Sequence, residues 1–168
     1  MIGGTINQMK KILILLFLLT FVQTSYAVEF EKLNLPKQAI NPGDFYYSPI
    51  RLWEKIIEKF QFSKEAKFKY AISQVDKRMS ELGFAVKNKR LDEIQRPSQR
   101  LAYQVGTLTE FLVKQADKEM KEQLKAKINS FSPALAELRD NFPANSSYWM
   151  LVQHDINALK EYADKLSK

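Results

Sequence analysis

From Ser48 to the C-terminus, apolar side chains recur every three or four residues, and no apolar–polar alternation of useful length interrupts them. A 3.6-residue period puts one face of a helix into a core, whereas a half-buried strand needs a period of two. That pattern restricts the chain to an all-α fold. Its longest expression is the series Leu101, Val105, Leu108, Leu112, Ala116, Met120, Leu124, Ile128 and Phe131. The series predicts one helix from Pro97 to Phe131, on the order of 50 Å long at 1.5 Å per residue. Gly106 inside it costs about 1 kcal/mol against Ala and suits close approach of another helix.

The other helices follow from the same period and from their caps. Ser48-Pro49 reads as a start, the hydroxyl capping free amides and Pro taking the first helical position. Trp53, Ile56, Ile57 and Phe60 then form a face expected in the core, with Phe62 anchoring the next turn. Ser63 opens a second helix, with Glu65 where the positive dipole end favours an acid. Its stripe is Phe68, Ala71 or Ile72, Val75, Met79 and Leu82; Gly83 is one candidate stop, Phe84, Ala85 and Val86 invite continuation towards Asn88, and a break or kink is expected between Gly83 and Pro97. Ser132-Pro133 and Phe142-Pro143 bracket a short helical piece. Asn145-Ser146-Ser147 caps a last helix carrying Tyr148, Val152, Ile156, Leu159, Ala163 and Leu166. The expected architecture is an elongated antiparallel helical hairpin or bundle of about four to five helices.

Ahead of these helices, Lys10 and Lys11 precede an uncharged apolar run from Ile12 to Val22 and the small-residue segment Ser25-Tyr26-Ala27. This is the pattern of a secretory signal peptide cut after Ala27, with Met1 and Met9 both open as the start of translation. The apolar run is well short of the ~20 residues that a membrane-crossing helix needs. The domain reading is therefore a signal peptide over 1–27, an extended leader over 28–47 and a single helical domain over 48–168. Pro36, Pro42 and Gly43 mark the leader, and Phe30, Leu33 and Leu35 are expected to lay it across the domain. The expected location is periplasmic or extracellular.

The segment Pro42-Gly43-Asp44-Phe45-Tyr46-Tyr47-Ser48-Pro49-Ile50-Arg51-Leu52-Trp53-Glu54-Lys55 is followed by Phe60-Gln61-Phe62-Ser63-Lys64-Glu65-Ala66-Lys67 and by Arg78-Met79-Ser80-Glu81-Leu82. Together these resemble a bacterial domain-of-unknown-function family, number 5667. The shared features are a Pro-Gly turn, a Tyr, a basic residue, Trp-Glu, an aromatic turn, Glu-Ala-Lys and a helix carrying Arg and Glu-Leu. The resemblance spans about residues 42–82 and implies a helical extracytoplasmic domain with no known activity. Its motif residues here are Pro42, Gly43, Tyr47, Arg51, Trp53, Glu54, Phe60, Phe62, Glu65, Ala66 and Lys67. Read physically, they form a folding nucleus, with Arg51 and Glu54 pairing on the outer surface.

Composition removes most chemistries. The 168 residues contain no Cys and one His. Thiolate catalysis, disulfides, iron–sulfur clusters and Cys-based zinc sites are excluded, as is any site needing two imidazoles. His154 reads as a boundary or surface residue. Glu119 and Glu122 lie among Lys118, Lys121 and Lys125, a solvated face rather than an acid–base pair. No phosphate-cradling Gly loop occurs. The expectation is therefore no enzyme, with no catalytic, cofactor-binding or metal residues and no small-molecule substrate evident.

The charge is +7, and +5 once residues 1–27 are removed. Lys87, Lys89, Arg90, Arg96 and Arg100 gather as a possible basic patch near the expected bend. For an exported chain, that charge suits an anionic envelope polymer or membrane surface better than nucleic acid. The leading expectation is a non-enzymatic interaction or scaffolding module of the bacterial envelope, with a protein partner or self-association. A periplasmic chaperone or stress adaptor is the alternative, although Leu108-Thr109-Glu110-Phe111 is followed by Leu112 where that type carries Gln. Electrostatic attachment to anionic polymer or membrane is a third.

Overall fold

A computed structural model describes residues 28–168, so the signal-peptide reading of 1–27 lies outside the described residues. These residues form six α-helices and no strand: α1 Val28–Lys32, α2 Tyr47–Lys59, α3 Lys64–Lys87, α4 Gln95–Gln115, α5 Lys118–Arg139 and α6 Ser147–Leu166. A 3₁₀ turn, Leu91–Glu93, lies in the expected break between α3 and α4. The all-α bundle expectation holds, with one helix more than its upper count.

The caps explain several of the boundaries. Ser63, Asp117 and Ser146 each accept a hydrogen bond from a backbone amide three residues on, satisfying donors that a helix start leaves free. Helix α6 packs extensively on both α4 and α5, and α3 lies against α4. The core between them contains Val75, Met79 and Leu82 from α3, with Leu101, Val105 and Leu112 from α4. Leu124, Ile128 and Phe131 from α5 and Val152 and Leu159 from α6 complete it.

Three sequence expectations are corrected. The single helix from Pro97 to Phe131 is two helices, because Ala116 adopts a left-handed conformation with φ 51° and ends α4. Asp117 then caps α5, accepting from the Met120 amide at 3.0 Å. The apolar spacing carries across the break because Leu112 and Leu124 both point into the same core, although Ala116 between them is exposed. The expected short piece from Ser132 is instead the end of α5, which runs through Pro133. An interior Pro costs about 3 kcal/mol. Ala134, Leu135 and Leu138 are fully buried beyond it and offset that cost. Helix α2 starts at Tyr47 without a side-chain cap, so Ser48 does not serve as one.

The leader is laid across the bundle, as Phe30, Leu33 and Leu35 suggested, and it begins with the short helix α1. The Phe30 backbone N–H donates to Glu137 Oε2 at 2.9 Å. Its ring lies on the backbone of Gly83, where an added Cβ would stand 2.0 Å from the ring. Gly83 is therefore a docking notch rather than a helix stop. Gly106 has the same role across the bundle, where the Tyr162 hydroxyl would lie 2.7 Å from a Cβ. Gly83→Ala should destabilise the fold by roughly 1–3 kcal/mol through overpacking, despite Ala's better helix propensity. In the Phe30→Ala background the same change should cost nothing further, as measured by denaturant unfolding of the double-mutant cycle.

Asp155 on α6 is buried facing Ser98 of α4, and its Oδ2 has no hydrogen-bond partner among the described residues. Burial raises its pKa to about 7, opposed by the Ser98 hydroxyl. A raised carboxyl pKa means that the folded chain keeps a proton which the unfolded chain loses above about 4. Stability should therefore fall as pH rises from about 4 to 7, by on the order of 4 kcal/mol in all. Unfolding measured across that range should show the slope, and Asp155→Asn should flatten it.

Candidate functional site

Between α2 and α3 lies a cluster of charged groups sheltered from water. Arg78 on α3 is 1% exposed and Glu81, one turn later, is fully buried. Arg78 Nη1 donates to Glu81 Oε1 at 2.5 Å, and Nη2 donates to Gln74 Oε1 at 2.7 Å and to Glu54 of α2. Arg51 and Lys77 also pair with the Glu54 carboxylate. The Tyr47 hydroxyl donates to Glu81 Oε2 at 2.8 Å and accepts from Arg100 of α4 at 2.6 Å. From α3, the Tyr70 hydroxyl donates to the Glu54 carbonyl at 2.7 Å.

The electrostatics follow from burial. Desolvation raises the Glu81 pKa, opposed by the Tyr47 hydrogen bond and by the charges of Lys77, Arg51 and Arg100. Desolvation, with Glu81 beside it, drives the Tyr47 phenol well above its ordinary range and keeps it neutral. Tyr70 is raised to about 12, chiefly by desolvation.

This cluster decides which side of α2 faces inward. Glu54 and Tyr47 are seven residues apart, two helical turns, and occupy the same face. With that face clamped to α3 and α4, the opposite face points away from the bundle. At 100° per residue, Leu52 and Ile56 stand about 160° from Glu54. Leu52, Trp53 and Phe60 are each more than 60% exposed, and Phe62 is 83% exposed. Trp53 and Phe60 are thus not core residues and Phe62 does not anchor its turn inside, contrary to the sequence expectation. Arg51 and Glu54 do pair, but Glu54 is buried rather than on the outer surface. Phe60 and Phe62 meet edge-to-face at 6.3 Å, and Phe45 meets Tyr46 at 5.1 Å. The apolar face of α2 therefore extends into an aromatic surface at both of its ends.

The turn before α2 is also held. Gly43 has φ +90°, which glycine adopts without strain, and Pro42 is buried. Arg90 Nη1 donates to the Pro42 carbonyl at 2.8 Å and to Asp44 Oδ1 at 3.0 Å. The Asp44 carboxyl sits below its ordinary range, first because the Asn41 amide donates to it and then because Arg90 does. In the second turn region, Ala66 supplies the amide that Ser63 caps, while Glu65 and Lys67 are exposed.

The five cations expected as a patch do not form one open surface. Lys87 lies over the Phe30 ring at 4.6 Å, Arg90 holds the Pro-Gly turn, and Arg96 approaches Glu93 at 4.0 Å. Lys89 is exposed with φ 53°. Arg100 belongs to the buried cluster. His154 is exposed on α6. Among the described residues, no three His, Cys, Asp or Glu side chains gather as a metal site, and no helix is long and apolar enough to cross a membrane. Sequence reasoning quoted Arg78, Glu81 and Tyr47 but did not join them to Glu54. The available signal was slight: Arg78 stands at the edge of the apolar stripe of α3, with Glu81 one turn later beyond that edge. The chain matches no family model, no curated protein and no solved structure.

Glu54→Gln or Arg78→Leu leaves charged partners buried and unpaired, and each should destabilise by about 3–5 kcal/mol. Trp53→Ala, on the exposed face, should change stability by less than about 1 kcal/mol. Thermal or denaturant unfolding of the three variants checks both statements.

Proposed function

We propose that this chain is a non-enzymatic interaction module of the bacterial envelope, and that the outward face of α2 is its contact surface for a protein partner. One observation carries the reading: α2 is fixed through its charged side, so its apolar side faces solvent. Fully burying a Leu, Ile or Phe side chain stabilises by about 1.5–3 kcal/mol. A face on which Leu52, Trp53 and Phe60 are each more than 60% exposed, with Ile56 partly exposed among them, is therefore a reserve of binding energy that folding does not use. Contiguous apolar surface of this kind marks contact sites, and aromatic anchors dominate the energetics of such interfaces. The signal-peptide pattern of residues 1–27 supports placing that partner outside the cytoplasm. The three mature-chain glycines and the lone, exposed His154 support a role without catalysis.

A photo-crosslinking residue at position 53 in exporting cells should capture one discrete adduct, a distinct envelope protein or a second copy. Leu52→Glu, which places a charge at the centre of the face, should abolish it while leaving the melting temperature within a few degrees. No adduct, or an adduct insensitive to Leu52→Glu, would overturn the proposal.

A further inference from the structure

Beside the ion-pair cluster, α2, α3 and α4 enclose a cleft of about 420 Å³, within the size range of small-molecule sites. Arg51 enters from α2 and Arg100 from α4, with Gln74, Tyr103, Gln104 and Thr107 also on its walls. Its charge does not balance. Arg51, Lys77, Arg78 and Arg100 surround only Glu54 and Glu81, an excess of two positive charges. Lys55, Lys59 and Glu58 at the rim raise it to three.

Arg100 is the source of much of the imbalance. Its bonded partner is the Tyr47 hydroxyl, which donates a hydrogen bond to Glu81 and stays neutral. Among the described residues Arg100 pairs with no carboxylate, and only Nη1 is engaged. Arg51 likewise uses only Nη1, on Glu54. Both guanidinium groups stand close enough to favour ionisation of Tyr47 and Glu81. Each half-buried guanidinium keeps free N–H donors in the planar fork that matches an oxyanion.

We infer that this cleft binds a phosphoryl group, a phosphomonoester or diphosphate, held between Arg51 and Arg100. A phosphomonoester carries about −1.5 to −2 charge at neutral pH. That matches the excess of the cluster, whereas a single carboxylate would leave it half-compensated. Gln74, Gln104 and Thr107 supply neutral polar groups around the remaining oxygens, and the exposed Tyr103 ring offers a surface for whatever the phosphoryl group is attached to. The site uses the charged side of α2 and its neighbours, so it does not depend on the apolar face having a partner.

The full chain should be titrated with inorganic phosphate, with pyrophosphate and with vesicles of phosphatidic acid or phosphatidylcholine, by calorimetry and by flotation. Saturable binding of about one phosphate or pyrophosphate per chain is expected if the source is soluble. Binding to phosphatidic acid but not phosphatidylcholine, without response to free phosphate, assigns the same site to a lipid headgroup. In either case Thr107→Glu, a carboxylate added at an exposed wall position, should weaken binding at least tenfold, and Thr107→Gln should not. Arg100→Gln should do the same as Thr107→Glu; because Arg100 also holds Tyr47, the Thr107 pair decides the matter if that variant unfolds. Trp53→Ser should leave phosphate binding intact, separating this site from the α2 contact face. Absence of saturable binding, or equal weakening by the remote Lys114→Gln, would overturn the inference.

Discussion

Arg78 is a guanidinium taken almost entirely out of water, and such a charge is tolerated only where carboxylates and hydrogen-bond acceptors replace its hydration. Here those partners come from two places. Glu81 and Gln74 lie on the same helix, and Glu54 comes from α2. The local partners would hold Arg78 in any arrangement of the neighbouring helices. Glu54 makes it a tertiary constraint, because α2 must sit in the one orientation that delivers its carboxylate.

The consequences spread outward from that contact. With Glu54 and Tyr47 turned inward, α2 has no freedom to bury Leu52 as well, since it lies on nearly the opposite side of the helix. Its entry is fixed by the Pro-Gly turn, which Arg90 holds from the segment just after α3. The outcome is an amphipathic helix mounted with its apolar side outward, beside a cleft whose guanidinium groups outnumber the carboxylates. Both features follow from placing four cations and two acids where helices α2, α3 and α4 converge. The leader is held by different physics, the Phe30 ring seated on the bare backbone of Gly83. It covers the bundle between α3 and α5 and leaves the α2 side open.

Much of the helical content was legible in the sequence, because it depends on local patterns. The stripes of α3, α5 and α6 are buried where the period placed them, and Ser63 and Ser146 cap as their positions suggested. The failures share a cause. Ala116 continued the i, i+4 spacing, so periodicity carried one helix through a residue that in fact reverses the chain. The residue that betrayed the break was Asp117, an N-cap with Glu119 in the first turn after it. Pro133 looked like a start because local preference is strong there, yet three buried residues beyond it keep the helix going. Trp53 and Phe60 looked like core because hydrophobicity alone decides that reading, and it does not register a buried charge on the other face.

What the sequence determined by itself is the secondary-structure class, most of the helix faces and the absence of thiol or paired-imidazole chemistry. These follow from side-chain spacing and residue type, which are local or compositional. What only the tertiary structure decided is which side of α2 faces in, where α4 ends and which charges meet. The reason is that Glu54, Arg78, Glu81 and Arg100 are separated along the chain by up to 46 residues. Their mutual attraction has no signature in spacing, and it acts only once packing has excluded the water that would otherwise solvate each of them.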